Sequence, residues 1–72
     1  MQYFVPEQLG TIKPLISIYD VRGHEIENHQ VGLLNPGMHE FRWNAETRSS
    51  GTYFIQLSFE NTSFSQKVQL LK

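Results

Sequence analysis

The chain has 72 residues, no cysteine, and a formal net charge of −1 from six basic and seven acidic side chains. A chain this short makes one small domain, and without cysteine neither disulfides nor thiolate zinc ligands can supplement its core. The basic residues are scattered, whereas nucleic acids and anionic membranes are bound by a concentrated positive field, so neither is an expected partner. No apolar run approaches the roughly 18 residues of a membrane span, and the N-terminus lacks the regions of a signal peptide. We therefore expect one domain over residues 1–72, without membrane insertion, that is a fragment of a larger protein.

The first half of the chain alternates with a period of two. PLISIYD places Ile16 and Ile18 on one face of a predicted strand. VRGHEI follows as a predicted turn, in which Gly23 supplies a positive φ. The mostly polar strand after this turn has a single apolar residue, Ile26, which is typical of an edge strand.

A second strong turn signal lies at Asn35, Pro36 and Gly37, because proline presets φ and glycine accepts a left-handed conformation. The following MHEFRW alternates between an apolar face, with Phe41 and Trp43, and a polar face. This pattern predicts a strand over the whole segment.

The last third of the chain predicts a hairpin over residues 53–71. The strongest strand is GTYFIQLSFE, which carries four large side chains on one face. These are Tyr53, Ile55, Leu57 and Phe59. ENTS is a predicted turn in which Asn61 suits the left-handed region, and FSQKVQLL then places Phe64, Val68 and Leu70 on one face.

Short strands separated by turn signals, without any long helical stripe, predict an all-β fold. About six to seven strands of this kind are typical of a small immunoglobulin-like antiparallel β-sandwich.

The polar residues predict neither a metal site nor a catalytic site. The possible metal ligands have no known ligand spacing and alternate between faces of their strands. They are His24, His29, His39, Asp20, Glu25 and Glu27. Ser49 and Ser50 lie in a polar loop without the strand-to-helix elbow that activates a hydroxyl. We therefore expect no cofactor, no metal and no enzymatic activity.

Exposed aromatic rings on a sheet can stack on sugars, which makes a carbohydrate-binding module an alternative. Trp43 and Tyr53 lie on the apolar sides of their strands and are expected in the core. Phe54 shares a face with Thr52 and Gln56, which predicts either an exposed contact patch or a second buried face.

Four stretches, in this order and spacing, resemble the C-terminal sorting domain, type A, of proteins exported by the type IX secretion system. They are IYDVRGHEI, the NPG turn with MHEFRW, SSGTYFIQL and the closing KVQLLK. The family positions that the resemblance marks as mainly structural fall on Tyr19, Asp20, Gly23, Gly37, Trp43, Gly51 and Tyr53. A related β-sandwich occurs in the flagellar hook-capping protein.

The resemblance implies a non-catalytic domain at the end of a cargo protein that crosses the periplasm and the outer membrane to the cell surface or the medium. Its implied partners are the type IX machinery and the parent cargo domain. The implied recognition residues are Lys67, Val68, Gln69, Leu70, Leu71 and Lys72. The same strand is also expected to close the sandwich, with Val68 and Leu70 in the core, and the two interpretations are compatible. An accessory module that binds polysaccharide or the parent's other domains, and an assembly domain, stay open as alternatives.

Overall fold

The computed structural model describes residues 1–71, which form six β-strands and one short 3₁₀ helix, Glu7–Leu9. The strands are β1 (Gln2–Val5), β2 (Leu15–Tyr19), β3 (Glu25–Gln30), β4 (Gly37–Glu40), β5 (Gly51–Phe59) and β6 (Thr62–Leu70). In this part of the chain, no helix has the length and apolar character needed to span a membrane.

The strands form two antiparallel sheets. The larger sheet has the order β3-β2-β5-β6, so β2 and β5 lie in its centre and β3 and β6 at its edges. The smaller sheet pairs β1 with β4, and an isolated bridge joins Ile12 to Leu34 in the connecting segments. The predicted class, a small all-β sandwich, is confirmed.

The core lies where the sequence alternates most regularly. Ile16 and Ile18 of β2 are fully buried, and most of the other buried apolar side chains come from β5. The buried apolar residues of the described chain are Val5, Ile12, Ile16, Ile18, Tyr53, Ile55, Leu57 and Phe59. Each aliphatic side chain of this kind stabilises the fold by about 1.5–3 kcal/mol through burial.

The predicted strand over MHEFRW is shorter than its pattern indicates. β4 ends at Glu40, which faces Gln2, the first residue of β1. Phe41 still exchanges hydrogen bonds with Met1, at 2.8 Å each. Among the described residues, the register of β4 with β1 ends at the Gln2–Glu40 pair. The burial nevertheless keeps alternating, with Trp43 half-buried and Arg42 exposed.

The predicted hairpin is confirmed, with β5 and β6 in continuous register from Gly51–Leu70 to Phe59–Thr62. Its turn differs in one respect, because Glu60 and not Asn61 adopts the left-handed conformation, with φ of 51°. Side chains other than glycine, asparagine and aspartate rarely adopt this conformation, so the sequence pattern favoured the wrong residue of the pair.

Candidate functional site: the C-terminal edge strand

β6 is an edge strand that pairs with β5 on one side and with no strand of the described chain on the other. Its register is unbroken, it contains no proline, and Lys67 is its one charged residue. Natural edge strands usually carry bulges, prolines, several charges or a covering segment that prevents pairing with another chain. β6 has almost none of these, so its outer backbone groups are available to an added strand.

The side chains of β6 divide between two faces. Lys67 lies opposite Phe54, and Gln69 lies opposite Thr52, so both belong to the outer face of the larger sheet. Both are exposed.

The inner face of β6 carries Val68, opposite Tyr53, and Leu70, opposite Gly51. These two side chains are half-buried and pack against the core. They anchor the strand. Leu71 follows the strand and is 86% exposed, while Lys72 lies outside the described residues.

An aromatic pair supports the inner face of β6. The rings of Trp43 and Tyr53 meet edge to face, with centroids 5.1 Å apart. Tyr53 is buried, and its hydroxyl donates a hydrogen bond of 2.7 Å to the carbonyl of Ser49. This pair therefore holds in place the segment that leads into β5, the strand with which β6 pairs.

The turn between β2 and β3 is organised by Asp20. One carboxylate oxygen accepts the backbone N–H groups of Arg22 at 2.9 Å and His24 at 3.0 Å. Gly23 adopts φ of 82° and donates its N–H to the Asp20 carbonyl. The bond from the His24 N–H is the largest cause that holds the pKa of Asp20 below its ordinary value.

Antiparallel pairing brings most of the family positions to one end of the larger sheet. Tyr19 lies opposite Phe54, which lies opposite Lys67. The Asp20 turn and the start of β5 at Gly51 therefore lie at the same end as residues 67–70. Gly37 does not join them, because it begins β4 in the smaller sheet.

A second cluster of interacting side chains, around Glu27, was not predicted from the sequence. Its carboxylate accepts hydrogen bonds from the Trp43 indole N–H and the Arg48 Nε, both at 3.0 Å, and lies 3.0 Å from the His29 ring nitrogen. Burial raises the pKa of Glu27, but the hydrogen bonds from Trp43, His29 and Arg48 outweigh it and lower the pKa overall. No sequence motif indicates this cluster, because Arg48 lies in a polar loop far from Glu27 in sequence.

The histidines considered as metal ligands are dispersed. His24 lies in the Asp20 turn, His29 contacts Glu27 on β3, and His39 of β4 bonds the carbonyl of Asn35 at 2.7 Å. Residues 1–71 contain no group of three or more side chains that could hold a metal ion.

An apolar groove of about 380 Å³ opens between β1 and the β5–β6 hairpin. Phe4 and Phe64 line it and are 63% and 58% exposed. Phe64 thus lies on the same face of β6 as Val68 and Leu70, as predicted, but its ring remains largely exposed to solvent. No carboxylate, histidine or lysine lies among the described lining residues, so the groove suits apolar contact better than acid–base chemistry.

The fold and the open edge define the chain as a small all-β sandwich domain with an accessible last strand. The family model for the secretion system C-terminal sorting domain matches residues 5–70. The chain belongs to this family, the sorting signals of type IX secretion. Membership implies an exported protein that ends at the cell surface or outside the cell, with a cargo and the type IX machinery as general partners. No curated protein and no solved structure matches the chain, so the relation to the hook-capping domain stays a prediction.

Proposed function

We propose that residues 1–72 are the non-catalytic C-terminal sorting domain of a larger cargo protein. The domain directs this cargo from the periplasm across the outer membrane through the type IX machinery. The observation that carries this proposal is the family match over residues 5–70. The open edge of β6, where the predicted recognition residues begin, supports it.

Within residues 67–72, we assign two different roles to the side chains. Val68 and Leu70 anchor the strand against the core, while Lys67, Gln69 and Leu71 project into solvent. A receptor that pairs with the outer backbone of β6 gains main-chain hydrogen bonds from the edge. The exposed side chains then supply the specificity, together with Lys72, which lies outside the described residues.

The test is export of a reporter that carries an N-terminal signal peptide and this domain at its C-terminus, in a bacterium with the type IX machinery. The full fusion should reach the surface or the medium, and a fusion lacking residues 67–72 should stay in the periplasm. Circular dichroism of the truncated domain must show that it still folds. If the machinery exports its own cargo while both fusions are retained, the sorting role is wrong.

Two single substitutions refine this test without truncation. Leu71→Ala removes a side chain that is 86% exposed, so export should fall while the fold is unchanged. Leu33→Ala removes one that is 73% exposed and distant from β6 in sequence, and export should stay at the level of the full fusion. Equal export of both variants would contradict a role for the Leu71 side chain.

A second candidate function, a polysaccharide-binding module, is favoured by the outer face of the larger sheet. Tyr19 and Phe54 lie side by side in register, and the Tyr19 hydroxyl donates to the Gln56 side chain at 3.2 Å. Phe54 is 37% exposed, so its ring is partly accessible to a sugar. Retardation of the domain by polysaccharide in affinity electrophoresis, lost in Phe54→Ala, would favour this function over sorting.

A further inference from the structure

The opposite edge of the larger sheet, β3, is lined by the segment that follows β4. Within this segment, residues 41–48, the Phe41 ring lies 5.4 Å from the His29 ring. The Trp43 indole donates to Glu27, and an Arg48 guanidinium nitrogen lies 2.9 Å from the same carboxylate oxygen. Three side chains of one segment therefore contact β3.

Arg48 also bonds the backbone of β3. Its Nη2 donates to the carbonyl of Ile26 at 3.2 Å. Ile26 has no partner in β2, because the register shifts between the pairs Ile18–Glu27 and Tyr19–Glu25. The guanidinium thus occupies a backbone acceptor at the β-bulge of the edge strand.

The β3 edge combines three features by which proteins protect sheet edges from pairing with another strand. They are an irregular register, a charged side chain directed towards the core side, and a covering segment. Glu27 provides the charge, since it lies opposite Ile18, a fully buried core residue. The Glu27 side chain is 21% exposed and that of Arg48 is 30% exposed, so the pair is shielded from solvent more than an ordinary surface ion pair.

We propose that residues 41–48, held to β3 by Arg48 and Glu27, close this edge of the sheet to strand addition. The closed edge leaves β6 as the side of the larger sheet where another strand can pair. The inference concerns the fold of this chain and does not depend on the proposed sorting function.

The decisive variant is Arg48→Met, which keeps an unbranched stem but removes the donors to Glu27 and Ile26. Arg42→Met is its matched control, because Arg42 belongs to the same segment, is 87% exposed, and pairs with Glu40 at 2.8 Å. Both variants remove one positive charge. Only the first removes a contact with β3.

Hydrogen–deuterium exchange and sedimentation velocity measure the outcome. In Arg48→Met we expect β3 amides to exchange about tenfold faster than in the wild-type protein, since a charge-assisted hydrogen bond is lost. Self-association should also appear as the protein concentration rises. Pairing between copies through β3 should then slow amide exchange at β3 again, while exchange at β6 should not change. Arg42→Met should match the wild-type protein in both measurements.

A folded Arg48→Met variant with wild-type exchange at β3 and the same sedimentation as Arg42→Met would overturn the proposal. If Arg48→Met does not fold, the same measurements on Glu27→Gln test the proposal. This variant removes the charge that pairs with Arg48 but keeps the side-chain shape and an acceptor oxygen for Trp43. Faster exchange at β3 together with self-association then supports the closed edge, and unchanged behaviour refutes it.

Discussion

The two edges of the larger sheet, β3 and β6, differ in length, in regularity of register, in charge and in the contacts that cover them. β3 is six residues long, has a shifted register, and is lined by residues 41–48. β6 is nine residues long and regular, and it has one charged side chain. Because both strands belong to the same sheet, the difference comes from local side chains and not from the sandwich architecture.

This difference shows how a small domain can present one accessible edge without general aggregation. A sheet with two open edges can extend in both directions, as in cross-β assemblies. A sheet with one closed edge can pair only once through the other. Three predictions test how each edge is maintained.

The largest effect is expected from Ile18→Ala, which should destabilise the whole larger sheet because β2 pairs with both β3 and β5. Ile18 is fully buried, so the truncation should lower the free energy of unfolding by about 2–5 kcal/mol. Urea denaturation measures this change. Val21→Ala, at a site 66% exposed, is the control and should change it by less than about 0.5 kcal/mol. Similar stabilities for the two variants would contradict the assigned core.

An intermediate effect, confined to β3, is expected from Glu27→Gln. The folded protein holds the pKa of Glu27 below its ordinary value of 4.5, so the carboxylate stabilises the fold fully above that pH. This contribution is lost as the pH falls through the folded-state pKa. Near pH 5 the wild-type protein should exceed the variant by about 1.5 kcal/mol, and the gap should close towards pH 2.

Urea denaturation of both proteins between pH 5 and pH 2 checks this prediction. Glu25→Gln is the matched control, since Glu25 is an exposed carboxylate on the same strand. It should differ from the wild-type protein by less than about 0.5 kcal/mol. A gap for Glu27→Gln that stays constant with pH would show that its charge does not hold residues 41–48.

The smallest effect, confined to the β5–β6 hairpin, is expected from Glu60→Gly. Glycine accepts the φ of 51° found at this position more readily than glutamate, so the free energy of unfolding should rise by about 0.5–1 kcal/mol. Asn61→Gly is the control, because Asn61 does not adopt a positive φ and should gain nothing. Thermal denaturation compares the two variants. A gain at Asn61 instead of Glu60 would contradict the turn geometry.

Alternation of side chains was sufficient to predict the fold class, the core strands and the closing hairpin. Ile16, Ile18 and the apolar face of β5 repeat with a period of two, and this pattern is local. The end of β4 was not predictable, because it depends on how far β1 extends beside it. The left-handed residue of the last turn was also missed, since propensity favours Asn61 while pairing places Glu60 there.

The candidate site was predictable only in part. The family resemblance marks residues 67–72, and alternation separates the half-buried Val68 from the exposed Lys67. The contact between Arg48 and Glu27 joins residues 21 positions apart through a loop without regular structure. Such a contact follows from the path of the whole chain, so no local pattern could reveal it.

The buried core of residues 1–71 contains no side chain from β6. Val68 and Leu70 are only half-buried, and β5 also pairs with β2 along its other side. Segments with few buried apolar side chains open locally at a lower free energy than the whole domain, so we expect the amides of β6 to exchange faster than those of β2. On this expectation, local opening of β6 exposes its inner face, including Val68 and Leu70, while β2 and β5 stay paired.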